Sequence, residues 1–242
     1  MTAQIIGVLF LATFVRAALG FGEALVAVPI LSLIVPVQTA APVAVLISIT
    51  VAAAILVQDW RHVQLRSASW LILSTLIGTP LGLLLLVRAP TNVVKASLGF
   101  VILAFSVYGL VRRQLVALHD DRLVAAFGFG AGVLGGAYGM NGPPLAVYGS
   151  LRGWSAQHFR ATLQGYFLPA SMMAMAGYWA AGLWTSDVTH YYLISLPSVV
   201  VATLLGRLAT LRMNTGLFLR CVNIGLVLVA LILFAQGVWI RS

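Results

Sequence analysis

The chain has 242 residues, of which 61% are hydrophobic and only 8% charged, with a formal net charge of +9. Soluble domains carry about 25% charged residues, so a soluble globular fold is excluded. The basic residues lie scattered between apolar runs, as in the cytoplasmic loops of membrane proteins, and nucleic acid is not an expected partner.

In chain order, the first apolar run starts just after Gln4 with no Lys or Arg ahead of it. It lacks the basic start and small-residue cleavage site of a secretory signal and is read as mature structure. Gly20-Phe21-Gly22-Glu23-Ala24 interrupts this run, and a short apolar arm follows through Val28-Pro29. Three long apolar runs come next, at 39–57, 69–88 and 92–111. Each reaches or approaches the ~20 residues that a helix needs to cross a bilayer. The charged stretch Arg112 to Arg122 then leads to a second apolar segment, broken at Gly139-Met140-Asn141-Gly142-Pro143-Pro144. Its arm ends at Leu151, and three further runs occupy 161–183, 190–210 and 215–238. Trp60, Trp70, Trp154, Trp184 and Trp239 fall near run ends, where an aromatic belt belongs.

Each half thus reads as one Gly-broken segment plus three helices, with residues 1–115 and 116–242 as the two halves of one integral membrane domain. The arm from Pro143 to Leu151 would rise only roughly 13 Å as a helix, too short to cross alone. Either each broken segment is one kinked crossing, or it enters and leaves on the same side. Two kinked crossings would divide the basic residues six against seven, with no asymmetry. Two re-entrant hairpins instead place Arg61, Arg66, Arg112, Arg113, Arg122, Arg152, Arg160, Arg207, Arg212 and Arg220 on one side, ten against three. The positive-inside rule favours that second arrangement. The expected fold is therefore all-α: a polytopic transmembrane bundle with two inverted structural repeats, each a re-entrant hairpin plus three transmembrane helices. Both termini would lie outside the cytoplasm, with Ser155 and Ser186 on opposite faces. The run from Thr2 to Gly20 is long enough to span, which keeps the kinked crossing as the alternative.

Inside a bilayer, non-helical backbone survives only where protein or a water-filled cavity satisfies it, so matched breaks in two halves point to a binding site. Close helix packing through small residues is the competing reading. In the second break, Asn141 suits a helix N-cap and Pro143 a first helical turn. A helix start offers unpaired N–H groups and partial positive charge, which favour an anion. Arg16, one turn before the first tip, either adds a cation or snorkels to lipid phosphate. Glu23 is the only carboxylate inside an apolar run. Desolvation disfavours its ionised form and a neighbouring Arg favours it, which makes it a proton-coupling candidate, a partner of Arg16, or a partly hydrated first-turn residue. Gln164, Thr162 and Tyr166 lie a turn deeper than the interfacial His158 and Arg160. They would bond a substrate, the tip of the second hairpin, or a neighbouring helix.

The expected substrate-binding residues are Arg16, Gly20, Phe21, Gly22, Glu23, Gly139, Asn141, Gly142, Pro143 and Gln164. Four histidines sit near run ends without ligand spacing, Cys221 is alone, and no dinucleotide, phosphate-loop or zinc-protease motif occurs. No metal, cofactor or catalytic residue is therefore expected.

These two breaks resemble the sulfite exporter TauE/SafE family of membrane anion permeases. In that family each half carries a Gly-rich motif of the form GxGGG, followed by Pro and an apolar arm. Here the motif reads Gly20-Phe21-Gly22-Glu23-Ala24 through Val28-Pro29, and Gly139-Met140-Asn141-Gly142-Pro143. The resemblance extends over nearly the whole chain in layout and length. Glu23 and Ala24 replace glycines in the first motif, Asn141 and Pro143 interrupt the second, and Tyr148 stands where the first half has Pro29. The resemblance implies transport of small sulfur-containing or carboxylate anions, sulfite and organosulfonates among them, and the altered tips leave the particular anion open. The expectation is a secondary transporter, a permease or exporter, in a bacterial cytoplasmic membrane. Its partners would be a small anionic substrate and the lipid bilayer, with a homodimer left open. An anion channel is the runner-up, and a membrane-embedded enzyme would need acid, base or metal-ligand clusters that the apolar runs lack.

Overall fold

A computed structural model describes residues 1–59, 65–111, 123–153, 156–210 and 215–239. The connector Arg112 to Arg122, where the expected boundary between halves falls, lies outside the described residues, as does Ser155. Among the described residues the chain forms ten helices and no strand. They are α1 (Thr2–Leu19), α2 (Glu23–Leu31), α3 (Val37–Asp59), α4 (Leu65–Arg88), α5 (Thr91–Val111), α6 (Val124–Tyr138), α7 (Gly142–Leu151), α8 (Ala156–Ala180), α9 (Ser186–Thr210) and α10 (Thr215–Trp239).

The six long runs become α3, α4, α5, α8, α9 and α10, each of 21 to 25 residues. At 1.5 Å per residue the shortest rises about 31 Å, the thickness of the hydrocarbon core. Among the described residues, five stretches are long and apolar enough to cross a membrane: Thr2–Leu19, Val37–Ile55, Ser69–Arg88, Thr91–Val111 and Ser186–Ala209. Leu73, Leu76, Ile77 and Leu84 of α4 and Leu204 and Leu208 of α9 are exposed. So are Ile224, Leu228 and Leu231 of α10. A soluble monomer rarely exposes apolar surface on this scale; here its solvent is lipid, and the protein is an integral membrane protein.

Interior and periphery separate clearly. All of α2 except Ile30 is buried, and α3 is buried over most of its length. Around this centre α4 packs on α6, α1 on α9, α5 on α10, and α3 on α8. The α4–α6 contact is the closest. Gly78 and Gly82 of α4 lie against the carbonyls of Phe129 and Val133, where a Cβ would stand 2.3 and 2.0 Å from the oxygens. Gly128, Gly132 and Gly136 of α6 lie likewise against the carbonyls of Leu71, Thr75 and Thr79. Glycines four apart on both helices thus let the two backbones touch, as small-residue spacing does in membranes, with Cα–H groups facing carbonyls. This seam fixes the position of α6 and of the break that ends it.

Candidate functional site

Each break is built by left-handed glycine. α1 stops at Gly20 (φ 89°), whose N–H returns to the Arg16 carbonyl at 2.6 Å. Gly22 (φ 99°) then occupies the N-cap of α2. α6 ends in the same way at Gly139 (φ 67°), whose N–H meets the Gly135 carbonyl at 2.8 Å. Only glycine adopts this conformation without strain, so three of the predicted glycines are demanded by the backbone. Gly142 is not: its φ is not positive, and a Cβ there would meet Phe21 Cδ2 no closer than 3.6 Å. That same contact brings the tip of the first half against the tip of the second.

Between the tips lies a cavity of about 20 Å³, lined by Arg16, Gly22, Glu23, Ala24 and Leu25 from the first break and Gly139 to Pro143 from the second. Ser48 of α3 and Phe167 and Ser171 of α8 complete it. Its size admits about one water. Of the ten residues expected at the site, seven line this space. Gly20 and Gln164 stand one bond behind it, and Phe21 packs on Gly142 outside the lining.

Arg16 organises the site. It is 2% exposed and Glu23 is 3% exposed, and the Arg16 Nη1 forms a buried ion pair with Glu23 Oε2. The same nitrogen donates to Ser48 Oγ at 2.7 Å, and Nη2 donates to Gln164 Oε1 at 2.9 Å. Thr13 Oγ1 donates to the second Glu23 oxygen at 3.3 Å. The guanidinium carbon lies 5.1 Å from the centre of the Phe167 ring, a cation–π distance. The snorkelling alternative for Arg16 and the hydrated alternative for Glu23 are therefore both set aside: both side chains are buried and bonded to each other.

One expectation needs correction, and one of the alternatives open for Gln164 is seen. Asn141 stands at the N-cap of α7, yet its side chain makes no capping bond. It lies instead over Gly135, where a Cβ would come within 2.4 Å of its Oδ1. Gln164 binds the first tip and not the second: its Nε2 donates to the Gly20 carbonyl at 2.9 Å. It thereby satisfies a carbonyl that the end of α1 leaves without a helical partner, and couples α8 to both Arg16 and the break. Tyr166 bonds Thr75 of α4 at 2.6 Å and is helix-to-helix glue.

The two helix starts also differ in the N–H groups they offer. α2 opens on Glu23, Ala24 and Leu25, all with N–H groups. α7 opens on Gly142, Pro143 and Pro144, and two of its first-turn donors are gone because proline has no N–H. Two buried donors in cavity-lining residues make no hydrogen bond within the protein: Arg16 Nε and Asn141 Nδ2. The Asn141 amide stands near the Tyr166 hydroxyl without reaching a bond of ordinary length and angle.

Thr13, Ser48, Phe167 and Ser171 were not anticipated. Gln164, Phe167 and Ser171 follow an i, i+3, i+7 spacing, one face of α8, and Thr13 precedes Arg16 by three on α1. That polar spacing inside apolar helices was the available signal. Among the described residues no group of three or more His, Cys, Asp or Glu could hold a metal.

Fold and site together define a multi-pass membrane protein with a buried, polar centre between two glycine-broken segments. The family model described as "Sulfite exporter TauE/SafE" matches residues 5–233. The chain belongs to that family, a family of membrane transporters. No curated protein and no solved structure matches it.

Proposed function

We propose that this protein is a secondary transporter for a small organic or sulfur-containing anion, such as sulfite, a sulfonate or a short carboxylate, held between the two tips. One observation carries the reading. Arg16 Nε and Asn141 Nδ2, one from each half, are buried donors in residues that line one cavity; Arg16 Nε meets no protein acceptor, and Asn141 Nδ2 has only the nearby Tyr166 hydroxyl. Unmet buried donors are costly, and an oxyanion supplies the acceptors they lack. The amides of the α2 first turn add donors and partial positive charge.

The halves, 1–115 and 116–242, are read as inverted repeats that rock about this site in a bacterial cytoplasmic membrane. Exchanging α1–α5 for α6–α10 maps α1–α9 packing onto α6–α4, and α3–α9 onto α8–α4, while α5–α10 and α3–α8 map onto themselves. α1 packs against α2, and α6 against α7, as the limbs of hairpins do. Interior prolines fall in α3 and α4 and again in α8 and α9.

The test is flux into proteoliposomes with sulfite, methanesulfonate and short carboxylates. Saturable flux that falls at least tenfold in Arg16→Met, about the 1.4 kcal/mol of a single charge-assisted bond, supports the reading. Non-saturating flux would point to a channel, and absence of flux for every anion rejects the proposal.

A further inference from the structure

The cavity wall holds one positive and one negative charge, and they already cancel. Among the described residues lining it, Arg16 is the only cation and Glu23 the only anion. The other polar groups at or behind the wall are neutral: Thr13 of α1, Ser48 of α3, Gln164 and Ser171 of α8, and Asn141 at the second tip. α5 and α10, which also pack on α2, bring no charged or titratable group to the lining, nor does α7.

An anion entering this space meets a site of zero net charge. If Glu23 stays ionised, the loaded site holds Arg⁺, Glu⁻ and substrate⁻, one uncompensated negative charge in a water-poor interior, which is strongly disfavoured. Geometry adds to this. The Glu23 carboxylate already holds Arg16 Nη1, on the same guanidinium whose Nε would receive an oxyanion, and the remaining room suits about one water. The carboxylate is in effect a built-in stand-in for the substrate.

Resting on the transporter reading, we propose that substrate replaces the Glu23 carboxylate on Arg16 only as Glu23 takes up a proton. The site therefore loads one monoanion together with one proton. The balance is simple: Glu23 carboxylate plus H⁺ gives the neutral acid, its ion pair with Arg16 breaks, and the substrate anion forms the new pair. Net charge is zero before and after. Translocation is then electroneutral, and the substrate class narrows to monoanions such as a sulfonate, a monocarboxylate or hydrogen sulfite. A dianion would leave the loaded site negative and is rejected.

The experiment uses the full-length protein in liposomes with labelled methanesulfonate and lactate as monoanions and sulfate as dianion. An acid-outside gradient of one pH unit should accumulate methanesulfonate toward about tenfold, one anion per proton. A potassium-diffusion potential without a pH gradient should leave it unmoved, and sulfate should not enter. In Glu23→Gln the pH gradient should lose its effect and the potential should gain one. Wild-type accumulation that follows potential instead of pH, pH-driven accumulation that survives Glu23→Gln, or sulfate entering as fast as methanesulfonate would overturn the coupling. Should Glu23→Gln fail to fold, adding methanesulfonate to wild-type protein in weakly buffered detergent decides: uptake of about one proton per bound anion is expected, and binding without proton uptake overturns the proposal. Failure of every anion to bind or move sinks the transporter reading itself, whereas flux with the wrong coupling sinks this inference alone.

Discussion

Replacing Arg16 with Met removes the guanidinium but keeps much of its apolar stem, leaving the Glu23 carboxyl at 3% exposure with Thr13 as a donor. An uncompensated carboxylate there would destabilise the fold by about 3–5 kcal/mol. The variant has a cheaper route, which is to fold with Glu23 protonated. An ordinary glutamate ionises near pH 4.3, and one pH unit corresponds to 1.36 kcal/mol, so holding that proton costs about 3.7 kcal/mol at pH 7 and about 1 kcal/mol at pH 5. The sign follows from proton counting. The folded variant binds a proton that the unfolded chain releases, so its stability falls as pH rises above about 4.3. Reversible unfolding in mixed micelles should therefore show a deficit of about 4–5 kcal/mol at pH 7 that shrinks to about 1–2 kcal/mol at pH 5, the pH-independent remainder being the lost bonds to Ser48 and Gln164. The double variant Arg16→Met/Glu23→Leu should recover most of the loss at pH 7 and show little pH dependence. Equal deficits at both pH values, or a double variant as unstable as the single one, would refute the buried-pair reasoning.

Further outcomes follow from the backbone. Gly136→Ala places a Cβ 2.1 Å from the Thr79 carbonyl oxygen. The α4–α6 seam must then part by about 1 Å or more, at about 1–3 kcal/mol, whereas Gly130→Ala on the same helix meets nothing within 4 Å and should be near neutral in the same unfolding assay. Gly22→Ala forces a left-handed alanine (φ 99°) and should lose about 1–2 kcal/mol, while Gly142→Ala, without that constraint, should lose under about 0.5 kcal/mol. Topology is tested in a Cys221→Ser background by labelling Asn92→Cys and Ser186→Cys, both exposed positions. Re-entrant hairpins put them on the same face of the membrane, and two kinked crossings put them on opposite faces.

Much of this architecture is legible without coordinates because lipid leaves the chain few choices. Backbone groups must be satisfied within helices, so apolar length alone marks α3, α4, α5 and α9, and glycines clustered with Glu23 or with Asn141 and two prolines mark the breaks. Residues 20–24 and 139–143 were found for that reason. What composition does not encode is lateral packing. Gln164 sits 148 positions from Arg16, and nothing in the local sequence says whether it serves the first tip or the second; only the α3–α8 contact decides. The α4–α6 seam is a similar case. Five glycines at four-residue spacing read as generic small residues until two helices from different halves are brought together. Asn141 misled for a further reason. Its type and position fit a cap, but Gly135 leaves a hollow over which the side chain lies instead, and a missing Cβ four residues before Gly139 gives no local warning.

The two tips share a plan and differ in chemistry, and the difference is where specificity belongs. The first carries three amides on its helix start, a charged pair, and Gln164 holding the Gly20 carbonyl. The second carries two prolines and a neutral amide. A symmetric pair of helix starts would attract any small anion from either side with fixed partial charges alone, and no titratable group would register whether the site was filled. Placing Glu23 where the resemblance leads one to expect glycine inserts the one acidic side chain among the described lining residues. On the proposed reading, an anion site that carries its own carboxylate must lose that carboxylate's charge to fill, which would tie occupancy to a proton.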